Sequence, residues 1–535
     1  MDLFCSRGQG EIGIAARIRK NLHLVINPTS LAPSRTSTNI HRMRPAFSLT
    51  DFLTAATRQI HLLNNVKLVT GRHFRTQKEI PLSRLNFPRL MFLVLVILGF
   101  ALRIGYGVVR YRSALTNLSG PAFINHWKAD ALYHVLIAEA MLSGKGYIVD
   151  EAPLAPGQNL RYAGQEALFK APLYEFFLAG TFAISGFSFK LFFPLQALFG
   201  GLLTGVMGWI ALHVFRRPGA AWFTGLAAGC HPILVNSASQ PYNEDLFFFF
   251  FAAAIWAFLV WLQTQRVRWA ILCGTMIGLC TLTRENGLLL LVAMGAVVLI
   301  AAPRTLKNWM GYGIIALITV ALMVPWTIRN YVRFGVFVPV ASIVGRDFVE
   351  GNNSCVASEG LFVPYWAEGP CPSVGEQRRA QEEGETGNSR LPAAVRSDRL
   401  SQRMAFEFVS AHPAAYAKLA FRRFWTTLLP YDPRGSQGRN ERIVLFLYWL
   451  LLFPAGLLGM MDSLRRIEAG RLLLALLVIL NLLSIAAVLY WSDLRFRVGI
   501  DLLLACFAGW EYARILEPRL LSRTRSTVPL RSAPG

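Results

Sequence analysis

Four short stretches place ionisable side chains where apolar runs stop. Asp130 lies in the segment Trp-Lys-Ala-Asp-Ala-Leu-Tyr-His over 127–134, and Lys170 opens Lys-Ala-Pro-Leu-Tyr over 170–174. Glu244 and Asp245 sit in Gln-Pro-Tyr-Asn-Glu-Asp-Leu-Phe over 240–247, between two further apolar runs. Arg495 and Arg497 lead into the last one. A charged side chain at the centre of a bilayer costs about 2.5–3.5 kcal/mol on insertion scales, so acids at the ends of apolar runs meet water or substrate. A carboxylate there can act as general base toward an acceptor hydroxyl, and cations can neutralise a phosphate as it leaves. Asp130 suits the first task. Lys170, Arg284, Arg329, Arg495 and Arg497 suit the second, arginine especially because its planar fork pairs two phosphate oxygens. An enzyme at an external membrane face has no ATP pool, so its activated donor must come from the lipid phase. Polyprenyl-phosphate sugars are donors of that kind.

Each residue also has a plainer reading. Asp is a favoured helix N-cap, and composition alone favours that reading of Asp130. Glu244 and Asp245 can be solvated turn residues, and the cations can snorkel to lipid headgroups. His134 reads as a surface helix residue, and the phenylalanine run 247–251 as lipid-facing bulk. Taken alone, the residues specify a membrane enzyme or transporter with an external polar face.

The elements that must hold them are membrane helices. The 535 residues are 54% hydrophobic and 16% charged, with a mean hydropathy of +0.40, which is the composition of a polytopic membrane protein. The net charge of +23 is concentrated at the ends: residues 1–89 hold 14 Lys and Arg against 4 acids, and Arg519, Arg523, Arg525 and Arg531 follow Glu517 without an acid. Such ends stay on the cytoplasmic side and meet anionic membrane lipid, a better account than nucleic-acid binding. No apolar h-region follows the basic start, so 1–89 is not a secretory signal peptide. Cys230, Cys273, Cys280 and Cys506 fall in apolar runs as small packing residues. Cys355 and Cys371 share a polar loop, where an external location permits a disulfide and two free thiols are the alternative. No CxxC pair exists, which excludes a zinc ribbon.

The predicted spans are 92–109, 191–215, 220–238, 246–262, 269–282, 287–302, 309–328, 443–461, 472–490 and 498–515. Segment 172–187 is apolar but short and carries Glu175. If it crossed, the basic connections at 216–217, 265–268 and 304–307 would fall outside, against the positive-inside bias. It is therefore placed in the outer interface, with ten spans and both termini cytoplasmic. This divides the chain into a basic cytoplasmic extension (1–89), a transmembrane core (90–328) with a first external loop (110–170), a large external loop (329–442), C-terminal spans (443–517) and a basic tail (518–535). Within the first loop, apolar Ala131, Leu132, Val135, Leu136, Ala138 and Met141 predict a helix over Ala129–Leu142 lying on the membrane surface with Asp130 at its N-terminus.

The order of these motifs resembles the GT-C membrane glycosyltransferases, in particular the branch of protein O-mannosyltransferases and lipid A aminoarabinose transferases. The likeness rests on 130–147, which runs from Asp through Tyr133 to Gly-Lys-Gly-Tyr, on 170–174, on Glu-Asp-Leu-Phe at 244–247 and on Leu-Thr-Arg-Glu-Asn-Gly at 282–287. It continues through Pro-Trp-Thr-Ile-Arg-Asn at 325–330 to Arg-Phe-Arg-Val-Gly-Ile-Asp at 495–501. It implies an all-α polytopic fold of about ten transmembrane helices with interfacial helices in the first external loop. It also implies an inverting transfer of a monosaccharide from a polyprenyl-phosphate donor to a lipid, glycan or protein acceptor, at the periplasmic face of a bacterial inner membrane. Asp130 would be the base, Glu244 a second active-site carboxylate, and Lys170 a donor-phosphate contact, with Tyr133, Arg284, Arg329 and Arg495 as further substrate contacts. Some relatives bind a divalent metal between their acids, which here would be Asp130 and Glu244. The chain departs from the pattern at Ala171, where many members have Pro, and in having one acid where mannosyltransferases have Asp-Glu; metal use and sugar stay open. The rivals are a lipid transporter or flippase, disfavoured because no internal repeat is seen and the acids sit at span ends, and a ligase using a diphosphate-linked donor.

Overall fold

The computed structural model describes residues 87–111, 129–150, 164–186, 188–302, 305–359, 393–431, 437–465, 467–488 and 494–526. These form an almost wholly helical array. The first half contains α1 (Phe87–Tyr111), α2 (Ala129–Leu142), α3 (Pro172–Ser185), α4 (Phe189–Phe215), α5 (Pro218–Gly229), α6 (Pro232–Ser237), α7 (Glu244–Thr264), α8 (Val267–Thr283) and α9 (Leu289–Ile300). The second half contains α10 (Leu306–Phe334), α11 (Val344–Gly351), α12 (Ser354–Glu359), α13 (Ala393–Ala411), α14 (Pro413–Thr427), α15 (Arg439–Leu464), α16 (Ala469–Ala487) and α17 (Leu494–Ser526). The β pairing among the described residues is a single bridge, Ile148 to Glu166, which closes the stretch between α2 and α3.

Among the described residues, six helices are long and apolar enough to cross a membrane: α1, α4, α7, α10, α15 and α16. The protein is an integral, multi-pass membrane protein. At 29 residues, α10 is about 44 Å long against a hydrocarbon core of about 30 Å, so it reaches beyond the apolar layer. Its capping is standard: Thr305 accepts from Asn308 N at the start, and Gly335 takes the left-handed conformation at the end.

Three expectations change. The predicted span 220–238 is two helices, because His231 and Pro232 interrupt it and Pro232 starts α6. The helix over Ala129–Leu142 is present, yet it does not lie on a surface: Ala131, Leu132, Val135, Leu136, Ile137 and Ala138 are all buried. Its apolar residues go nearly all round, and α3 together with Tyr147, Val149, Ala167 and Phe169 covers the side that a surface helix would leave open. The phenylalanine run is not lipid-facing, since Phe247, Phe248 and Phe251 are buried in the main core with α4, α8 and α17 residues.

Small residues let the core helices close up, as is common where no hydrophobic drive brings helices together. A Cβ on Gly200 of α4 would stand 2.1 Å from Arg103 Nε and 2.4 Å from Asp245 Oδ1. That gap admits an ion pair between α1 and α7, with Arg103 Nε to Asp245 Oδ1 at 3.0 Å. The described helices between α10 and α15 are also tied down. Arg423 of α14 is fully buried and donates to Ala486 O (2.8 Å), Gly351 O (2.7 Å) and Asn352 Oδ1 (2.9 Å), while α11 packs on α13 with Asp398 accepting from Ser342 Oγ and Arg346 N. Cys355 is disulfide-bonded; Cys371 lies outside the described residues.

Candidate active site

Asp130 enters from the first turn of α2, and its carboxylate faces two cations from distant parts of the chain. Lys170 Nζ is 3.0 Å from Oδ1, and both terminal nitrogens of Arg495 are 3.4 Å from Oδ2. The Asp130 side chain is 44% exposed, so the group stands at a rim open to an incoming molecule. Lys170 is carried on the stretch before α3, which Tyr147 secures by donating from its hydroxyl to Lys170 O at 3.1 Å. Lys170, ahead of Arg495 and His134, holds the Asp130 carboxyl well below the usual carboxylate range, against burial that acts the other way.

Glu244 opens α7 and is buried. Its Oε1 is 3.5 Å from Arg284 Nη1 and 3.8 Å from Arg495 Nη1, and Oε2 has no hydrogen-bond partner among the described residues. Arg495 therefore links the two carboxylates. Its guanidinium lies over the Tyr242 ring at 5.2 Å, and Arg284 lies against Phe247 and Phe496 at 5.7 and 5.8 Å. Tyr133 packs edge-on to Phe169, ring centres 5.3 Å apart, and Lys170 Nζ stands 5.8 Å from that same ring. Lys170, Arg284 and Arg495 thus face Asp130 and Glu244.

Two expected cations are elsewhere. Arg329 is bound to Glu166 at 2.9 Å and stacked on Trp326 at 4.9 Å, part of a second cluster that also holds Arg333. Arg497 is buried, pairs with Asp501 at 3.0 Å and donates to Leu429 O; it is structural. Between Asp130 and Glu244, the place a divalent ion would take is held by Arg495, so the residues present do not fit a metal at that point. Among the described residues no group of three His, Cys, Asp or Glu is close enough to hold one.

Sequence reading missed several participants. Glu244 and Asp245 are not solvated: Asp245 is fully buried and shared by Arg103 and Ser237 Oγ (3.0 Å). Arg103 interrupts an otherwise apolar span, the signal that should have marked it. His134 is not a surface residue. It is buried, and its Nδ1 is 2.7 Å from Glu175 Oε1. From α11, Asp347 adds an acid within electrostatic range of Asp130; burial, then the charges of Glu350, Glu285 and Asp130, push its carboxyl up to about 8 against the pull of Arg346.

Residues 169–328 match the family model described as dolichyl-phosphate-mannose-protein mannosyltransferase. Two curated proteins are 31% identical over 140 residues, 25% of this chain: the protein-methionine-sulfoxide reductase heme-binding subunit MsrQ of Xanthomonas euvesicatoria pv. vesicatoria (strain 85-10) and that of Xanthomonas axonopodis pv. citri (strain 306). The chain spans 62% of the length of each. Among solved structures, the chain is similar to the archaeal oligosaccharyltransferase AglB from Archaeoglobus fulgidus, in complex with an inhibitory peptide and a dolichol-phosphate. The TM-score is 0.49 and the identity 12%, over 84% of this chain and about half (52%) of AglB. ArnT from Cupriavidus metallidurans bound to undecaprenyl phosphate matches at TM-score 0.33 and 14% identity, over 76% of this chain and 77% of ArnT. Superpositions this loose assign no residue a role. The family model covers less than a third of the chain.

Proposed function

We propose that this protein is a GT-C-like transferase that moves a monosaccharide from a polyprenyl-phosphate donor to a hydroxyl of a lipid, glycan or protein at the external face of the membrane. One observation carries the reading: the carboxylate suited to be the base and the cations suited to hold the phosphate are bonded to each other. In the resting enzyme Asp130 is a poor base, because Lys170 and Arg495 satisfy it. A donor phosphate competes for the same two cations. As they turn to it, Asp130 loses its partners and gains basicity, so base strength arrives with the substrate. Asp130 then takes the acceptor's proton and the acceptor oxygen bonds to the anomeric carbon. The bond from that carbon to the phosphate oxygen breaks, and its electron pair leaves on the phosphate under Lys170 and Arg495. Glu244 holds Arg495 and Arg284, and Tyr133 packs on the Phe169 ring that Lys170 also overlies. No metal enters this sequence.

The test is Asp130→Asn in nanodiscs, supplied with polyprenyl-phosphate hexoses, pentoses and amino sugars and assayed for covalent transfer. The variant should insert normally and transfer nothing. Undiminished transfer refutes the base, and movement of donor lipid across the bilayer without covalent change would favour a transporter.

A further inference from the structure

The helix that precedes α15 carries an outward face that no other part of the described chain covers. On α14 the exposed residues Ala414, Ala417, Lys418, Phe421 and Trp425 recur at helical spacing and so form one face. Phe421 and Trp425 are 68% and 60% exposed. The opposite side is buried at Leu419, Arg423 and Thr427. Charge divides the helix across its axis. Lys418 and Arg422, four apart, line one flank of the apolar stripe, and Ala420 and Phe424 line the other. The preceding helix, α13, is different: it exposes Arg399, Gln402, Arg403, Glu407 and Ser410 around Phe406, the surface of a helix in water.

The contacts of α14 fix where its free face lies. Tyr416 Oη donates to Ala487 O at 3.3 Å, and Arg423 Nε donates to Ala486 O at 2.8 Å. Residues 416 and 423 are about 10 Å apart along α14, yet their partners are adjacent in the last turn of α16. Helices running side by side would match seven residues with seven, so α14 lies across the end of α16. That end marks a membrane boundary. At 19 apolar residues, α16 is about 28 Å long, close to the thickness of the hydrocarbon layer. It is also the end that carries Asp130, since the chain passes from α16 to Arg495 of α17, which pairs with that carboxylate. At its own C-terminus α14 meets a second span: Trp449 Nε1 of α15 donates to Leu428 O at 2.9 Å. The outward residues Val444, Leu447 and Leu451 of α15 are apolar.

We infer that α14 is seated in the lipid leaflet at the Asp130 end of the bundle, and that this seat steadies α11 through Arg423. Phe421 and Trp425 enter the acyl region, where aromatic rings are favoured at the membrane boundary, and Lys418 and Arg422 meet lipid phosphates. Arg423, on the buried side, donates to Gly351 O and Asn352 Oδ1 at the end of α11. That helix brings Asp347 within electrostatic range of Asp130. One side chain thus joins the lipid-facing helix to the surroundings of the site.

The experiment introduces Lys418→Cys, Phe421→Cys and Trp425→Cys one at a time into the full chain and attaches a nitroxide label. Gln402→Cys on α13 is the water-facing reference, and the unsubstituted protein gives the blank for native cysteines. In nanodiscs of phosphatidylglycerol and phosphatidylcholine, access of dissolved oxygen against that of a water-soluble nickel chelate reads depth. Labels at 421 and 425 should lie about 5–10 Å below the phosphates, with the label at 418 at their level and the label at 402 in water. Nickel access at 421 and 425 equal to that at 402 overturns the inference. So does shielding from both reagents, which means that protein, a second copy included, covers the face. The double variant Phe421→Gln with Trp425→Gln should speed hydrogen exchange over Val344–Gly351 about tenfold, and Gln402→Ala should leave it unchanged. Unchanged exchange in the double variant, with the labels at lipid depth, overturns the link through Arg423.

Discussion

If donor phosphate and Asp130 compete for the same cations, removing the carboxylate should make the protein bind phosphate more tightly while ending catalysis. The perturbation is Asp130→Asn, and the probe is a short-chain prenyl phosphate, the product without its sugar. Two contributions add. The ion pairs of Asp130 with Lys170 and Arg495 must be given up before phosphate binds; since the Asp130 side chain is 44% exposed, they belong to the weak class, worth about 0.2–1 kcal/mol. The phosphate also escapes repulsion from a unit negative charge about 4–5 Å away, worth about 1 kcal/mol in a water-like dielectric. Together this is about 1–2 kcal/mol, or an affinity gain of roughly 5–30-fold. Lys170→Met is the counterpart: it deletes a charge-assisted hydrogen bond to phosphate worth about 1.5–3 kcal/mol and should weaken binding about 10–150-fold. Binding to protein in nanodiscs, followed by displacement of a labelled prenyl phosphate, reads both. Weaker or unchanged binding by Asp130→Asn refutes the competition, because the freed cations would then not be the phosphate's site. Wild-type affinity in Lys170→Met refutes it from the other side.

Three further outcomes follow from the surroundings. Arg103→Met leaves the buried Asp245 with Ser237 alone, so it should cost about 3–5 kcal/mol, read as lost folded protein in detergent, and the double change with Asp245→Asn should recover most of it. Arg423→Gln removes anchors to α16 and to the end of α11, and should raise proteolytic cleavage in the long loop about tenfold while leaving the membrane helices intact. Asp347, with its carboxyl raised to about 8 from an ordinary value of 3.8, binds more protons folded than unfolded between those values. Stability conferred by its neutral form is present at low pH and lost as pH rises toward 8. Asp347→Asn should therefore melt at the wild-type temperature near pH 4 and above it at pH 8, by about 2–4 °C for each 1 kcal/mol.

What could be read before the structure depended on how far each residue's partner lay along the chain. Asp130, Lys170, Glu244, Arg284 and Arg495 were legible because charges are scarce in this chain and each of these falls where an apolar run stops. Their convergence was not legible, since Arg495 meets Asp130 across 365 positions. Arg103 escaped because averaging over a span hides a single charge, and its partner is 142 residues away. Glu175 was visible as an acid in a short apolar segment, but only the approach of α3 to α2 shows that it faces His134.

Other errors were avoidable from helical periodicity alone. Arg495 and Arg497 both suit a phosphate by residue type, yet residues two apart on an α-helix point about 200° away from each other. Only one could face Asp130, and the other had to find a partner inside the bundle, as Arg497 does with Asp501. Glu244 and Asp245 obey the same geometry. Adjacent positions diverge by about 100°, so a pair of acids opening one helix cannot both serve one site. Here Glu244 turns to Arg284 and Arg495 while Asp245 turns to Arg103 on α1. The division has a functional consequence: the buried pair with Arg103 fixes the first turn of α7, and that turn sets where Glu244 can hold Arg495. Under the proposed mechanism, an acid that never meets the substrate governs the placement of the cation that would, which is why loss of Asp245 should disturb donor affinity before it disturbs transfer.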